Sequence, residues 1–112
     1  MKFHVKEVNN RPIAIFDNDP LPYSHLLSDF LEEARIGNVE DYLAEIEKAK
    51  NGHSLPTGFT GNSVDISFYS DHATIEELWP QNEDNPASIE ISLEEAKQLL
   101  LDWQMVLENW KK

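Results

Sequence analysis

The pattern most suggestive of chemistry is Ile13-Ala14-Ile15-Phe16-Asp17-Asn18-Asp19, an apolar run ending in two aspartates two residues apart. Carboxylates so spaced hold magnesium in phosphotransferases, where one of them can also attack phosphorus. That chemistry needs a further acidic pair after a later strand and a matching basic residue, and the sequence offers neither. Asp17 and Asp19 read instead as a strand-ending Asx turn, with a small magnesium-dependent hydrolase kept as a rival class. His25 and Asp29 have the i,i+4 spacing that sets two ligands on one helix face, but no third ligand falls in register. Glu76 and Glu77 could act as acid and base only if they shared a site, and adjacent strand residues point to opposite faces. Neither Gly61-Asn62-Ser63 nor Gly52-His53-Ser54 resembles a nucleophile elbow, and Gly61 to Ser63 fails as a phosphate cradle because no P-loop lysine follows it. The expectation is a protein that is not an enzyme, with no catalytic residue, no metal and no cofactor.

Charge is more informative than any of these motifs. The chain has 112 residues, with 21 Asp and Glu against 9 Lys and Arg, a formal net charge of −12. Such a surface repels nucleic acid and anionic lipid and attracts basic proteins. No Lys or Arg occurs between Lys50 and Lys97, whereas Asp65, Asp71, Glu76, Glu77, Glu83, Asp84, Glu90, Glu94 and Glu95 all fall there. Solubility alone accounts for a mixed acidic surface; a cation-free run invites the question whether the acids gather on one face. With 40% apolar residues the acidity belongs to a folded chain, and the absence of cysteine and of any long apolar stretch points to the cytosol.

The positioning elements follow from periodicity. Phe3 to Val8 and Ile13 to Asp17 read as a hairpin turning at Asn9-Asn10, and Asp17 to Pro22 breaks the second strand. Leu26, Leu27, Phe30, Leu31 and Ala34 predict a helix from about Ser24 to Ile36, with Gly37 as its left-handed C′ residue. Asn38 caps a second helix that ends at Asn51-Gly52. Beyond a turn-rich stretch with a short edge strand near Phe59, Val64 to Tyr69 alternates clearly, Ala73 to Trp79 pairs with it antiparallel, and Ala87 to Ile91 adds a last strand. Pro80 to Pro86 is an exposed acidic loop. Ser92 and Glu95 form a capping box at the start of a final helix whose apolar stripe includes Trp103 and Trp110 as core. The sum is one α+β domain over residues 1–112: an antiparallel sheet of about five strands with a helical hairpin and a C-terminal helix packed on it.

This order of features, with the Gly37-Asn38-Val39 helix junction, the Gly61-Asn62 turn before Val64 to Tyr69, and the ending Ser92-Leu93-Glu94-Glu95 with Trp103, resembles the small immunity proteins of bacterial contact-dependent growth-inhibition systems (CdiI type). The resemblance implies a cytoplasmic protein that binds a cognate toxin domain, a nuclease such as an RNase, as a monomer in a one-to-one complex, and occludes its basic cleft. A nuclease must present cations to a phosphate backbone, and an anionic partner can occupy that cleft by the same electrostatics. No nucleic acid or membrane partner is expected. The residues assigned to partner binding are Asp65, Tyr69, Asp71, Glu76, Glu77, Trp79, Glu83 and Asp84, the carboxylates meeting Lys and Arg and the aromatics acting as anchors. Glu32, Glu33, Glu40, Asp41, Glu45 and Glu47 on the helix pair are the competing face. The alternative function is an acidic housekeeping regulator of a ribosomal or other basic cellular protein.

Overall fold

The first strands form a tight hairpin in the computed structural model, which describes residues 3–17, 23–52, 57–78 and 87–110. β1 (His4–Val8) and β2 (Arg11–Ile15) are joined by Asn9 and Asn10, whose φ angles of 53° and 64° are the pair of positive values that a two-residue type I′ turn requires. That turn fixes the register at Val8↔Arg11 and hence Val5↔Ala14. As a result Ala14 and Phe16 are buried, whereas Ile13 and Ile15 stay half-buried on the face shared with Lys6 and His4.

Two helices follow almost without a break, α1 (Tyr23–Gly37) and α2 (Val39–Lys50). Gly37 is the last residue of α1 and is not left-handed; the positive φ, 110°, falls on Asn38. Asn38 serves both helices at once. Its N–H closes α1 onto the Ala34 carbonyl at 2.8 Å, and its side-chain oxygen accepts from the Glu40 N–H at 3.0 Å. The expected glycine C-cap appears instead after α2, where Gly52 has φ 86°.

The second sheet is built from β3 (Thr57–Thr60), β4 (Val64–Phe68), β5 (His72–Glu77) and β6 (Ser88–Ser92), antiparallel in the order β3-β4-β5-β6. The expected single sheet is therefore two sheets, of two and four strands. The reason lies in α1, which stands between them: Leu26, Leu27, Phe30, Leu31 and Ala34 are all buried, and the helix packs against β2 of the hairpin as well as against β4, β5 and β6. The hairpin packs on α1 and α3 (Leu93–Trp110), while α1 and α3 also lie against β5 and β6. Trp103, fully buried, meets Phe3 edge to face at 5.8 Å. Trp110 is not core: it is half-buried, with its Nε1–H donating to the Asn10 carbonyl at 3.3 Å.

The four-stranded sheet has two unlike faces. Val64, Ile66, Phe68, Ala73, Ile75, Ile89 and Ile91 point at the helices and are buried, and the residues alternating with them face away. α3 is tied to this sheet at its start. The Leu93 N–H donates to the Asp71 carbonyl at 3.1 Å, and the Ser92 hydroxyl accepts from the Glu95 N–H at 3.1 Å while donating to the Glu95 carboxylate. The capping residues are those expected, but Glu95 returns to the serine hydroxyl.

Candidate functional site

Register places the outward residues in rows across the sheet. Thr60, Asp65, Glu76 and Ser88 form one row; Ser67, Thr74 and Glu90 form the next; Tyr69 and His72 stand at the turn end beside Ser92. Asp65 and Glu76 are thus directly cross-strand, two like charges in the arrangement that destabilises a ladder. Asp65 Oδ1 accepts a hydrogen bond from the Thr60 hydroxyl at 2.7 Å. Neither carboxylate has an ion-pair partner among the described residues.

At the turn end, the Tyr69 ring stacks on His72 with centroids 4.4 Å apart and planes within 9°. His72 Nδ1 lies 2.7 Å from Asp71 Oδ1, and its Nε2 lies 3.6 Å from Glu90 Oε1. The hydrogen bond from His72, ahead of its charge, holds the exposed Asp71 carboxyl below the ordinary carboxylate range. The face therefore runs from two carboxylates without a counter-ion among the described residues, through hydroxyl side chains, to an aromatic pair flanked by acids.

Of the eight residues assigned from sequence, the structure brings Asp65, Glu76 and Tyr69 onto this face and Asp71 to its rim. Glu77 belongs to the opposite, helix-facing side, as its position after Ile75 dictates. There it is half-buried, with its Oε2 accepting from the Ala87 N–H at 3.3 Å while its own N–H donates to the Ala87 carbonyl. Trp79, Glu83 and Asp84 lie outside the described residues, as do Asp19 and the Pro80 to Pro86 loop. Thr60, Ser67, His72, Thr74, Ser88 and Glu90 were not assigned, although the period-two alternation that located the strands also marks them as outward.

Of the six competing helical acids, Glu32, Glu33, Glu45 and Glu47 are engaged within the molecule, whereas Glu40 and Asp41 are exposed and make no ion pair among the described residues. Glu32 is paired by both Arg35 and Arg11, Glu45 by Lys48 at 3.0 Å, and Glu47 by Lys97 at 3.2 Å. Glu33 is buried at 6% exposure and uses one oxygen to accept from the Asn62 and Ser63 N–H groups at 2.9 and 3.2 Å. Gly61 makes room for it, since a Cβ at that position would stand 2.2 Å from Glu33 Oε2. Burial, with a smaller contribution from Glu33, pushes the Tyr42 hydroxyl up to about 12. Burial also raises the Asp29 carboxyl, against the lowering effect of His25 at 3.1 Å and with help from Glu33, Glu32 and Glu77.

Asp17 is paired with His4 at 3.1 Å, and among the described residues no group of three or more His, Asp or Glu is placed to hold an ion. A cleft of about 690 Å³ opens between the hairpin turn, the α1–α2 junction and the end of α3. Its charges are of both signs, Arg11 and Arg35 against Glu40 and Glu108, and none of the residues assigned from sequence lines it. No helix is long and apolar enough to cross a membrane among the described residues. The chain matches no protein-family model, no curated protein and no solved structure.

Proposed function

We propose that this protein is a binding protein whose open sheet face meets a cationic protein surface, and that it acts as the immunity partner of a toxin domain. The observation that carries the reading is the Asp65–Glu76 pair: two carboxylates held opposite each other, on an exposed face, with no ion-pair partner for either among the described residues. An arrangement that costs stability in the free protein becomes favourable once lysines or arginines of a partner stand between the charges. The stacked Tyr69 and His72 supply a flat, rigid contact at one end of the same face. Occupation of a nuclease's basic cleft by this face would exclude the phosphate backbone without any turnover. The resemblance to growth-inhibition immunity proteins supplies the nature of the partner, and the −12 charge supplies the steering that brings it in.

The reading predicts a toxin gene beside this one, and is tested by co-expressing the protein with the toxin domain that such a gene would encode. Rescue of growth is expected, and it should be lost when Asp65, Glu76 and Glu90 are changed to Asn, Gln and Gln in a variant that keeps its thermal stability. Growth arrest despite soluble wild-type protein would sink the immunity assignment.

A further inference from the structure

The four-stranded sheet ends on one side at β6, and the hydrogen bonds bracketing this strand fix the direction of its backbone groups. The Glu77 N–H donates to the Ala87 carbonyl at 2.8 Å, and the Leu93 N–H to the Asp71 carbonyl at 3.1 Å. Between them run the pairs Ile75↔Ile89 and Ala73↔Ile91. Bonded and non-bonded pairs alternate in an antiparallel ladder, so Ile89 and Ile91 exchange their bonds with β5. The N–H and C=O groups of Ser88 and Glu90 must then point away from the sheet. Both residues are exposed, and no described strand pairs with β6 on that side.

An uncovered edge is a template for another strand, and proteins usually blunt it with lysine, proline or a bulge. β6, Ser88-Ile89-Glu90-Ile91-Ser92, has neither lysine nor proline, and it pairs with β5 residue for residue without a bulge. What it presents instead is Glu90, 69% exposed, with Glu76 on the adjoining strand. A second copy of this chain is a poor occupant, since antiparallel pairing would bring Glu90 close to its own equivalent in two molecules of −12 charge. The opposite edge is less open: α2 packs against β3, and β3 carries no carboxylate.

We infer that β6 accepts an extended, lysine- or arginine-bearing segment of the partner as an added strand. The backbone groups of Ser88 and Glu90 make the new ladder bonds, and Glu90 and Glu76 meet the segment's cations. This rests on the reading that the sheet meets a basic protein, and it specifies how.

The probe is a capped peptide of alternating lysine and valine, compared with a lysine–proline peptide of equal length and charge that cannot complete a ladder. The full-length protein should bind the first about tenfold more tightly, and saturation should slow hydrogen exchange at the Ser88 and Glu90 amides. Ser88→Pro removes an outward N–H and leaves the bonds to β5 intact. It should keep its melting temperature and bind the lysine–valine peptide no better than the lysine–proline one. Unchanged binding by a folded Ser88→Pro variant would overturn the inference. Should that variant fail to fold, the wild-type exchange data decide alone, and unslowed Ser88 and Glu90 amides would overturn it. Equal affinity for the two peptides rejects strand addition while leaving the acidic-face reading intact; binding of neither at low salt rejects both.

Discussion

The helical layer and the open sheet face are both acidic, yet their carboxylates are treated in opposite ways. Among the described residues, every Lys or Arg ion pair ends on a helical carboxylate: Glu32, Glu45, Glu47 or Glu94. The sheet face receives histidine alone, through His72 beside Asp71 and Glu90. A count of acids along the chain therefore misjudges which surface is available. Glu32, Glu33, Glu45 and Glu47 are engaged within the fold, whereas Asp65 and Glu76 leave their charge facing outward. Exposed ion pairs add little stability individually, so the contrast matters less for the energy of folding than for where uncompensated charge remains.

The contrast is broken most severely at Glu33, the helical carboxylate with the deepest structural role. Glu33→Ala leaves the Asn62 and Ser63 N–H groups without their acceptor and should cost about 2–4 kcal/mol in urea unfolding, with no loss of the sheet-face charge. Tyr42, which stacks on Phe59 at 4.1 Å, reports on the same region through pH. Because the folded state keeps the phenol protonated up to about 12, against the ordinary 10.0, its stabilising contribution is intact below 10 and disappears as pH rises toward 12. An ultraviolet phenolate titration should find one tyrosine ionising near that upper limit, and Tyr42→Phe should flatten the alkaline loss of stability.

Smaller and of opposite sign is the effect on the sheet. Asp65→Asn or Glu76→Gln removes one of two facing charges and should stabilise the free protein by about 0.5 kcal/mol, measured by thermal unfolding at low salt, with the gain shrinking as salt is added. A matching gain at Glu45 or Glu47 would erase the distinction between the two regions. Asp29 gives the smallest signal. Its raised carboxyl means that the folded state binds a proton more tightly than the unfolded chain, so stability declines as pH climbs through and above the ordinary 3.8. Asp29→Asn should therefore be more favourable at neutral pH than below 3.8, the comparison being made by denaturant titration at both.

The same division separates what sequence reading reached from what it missed. Strands, helices and caps were legible because each has a local cause: alternation in Val64 to Phe68, the Asn9-Asn10 turn, the Ser92 and Glu95 pair. The split into two sheets was not, because it depends on how many sides of α1 need covering, a property of three-dimensional packing. Likewise, alternation could place Asp65 and Glu76 on outward faces, but only the register sets them opposite one another. Glu77 was grouped with them by charge although its parity already assigned it to the helices. The role of Glu33 was invisible, since its partners, Asn62 and Ser63, lie in a turn distant along the chain.

Under the proposed function, uncompensated charge on the sheet, and not acidity in general, recognises the partner. Stopped-flow association with the cognate toxin domain across a range of salt tests it directly. Two variants of equal charge change are compared: Asp65→Asn with Glu76→Gln, and Glu45→Gln with Glu47→Gln. The sheet variant should associate more slowly and with a flatter salt dependence, while the helical variant stays close to wild type. Equal slowing in both, or slowing in the helical variant alone, would contradict it.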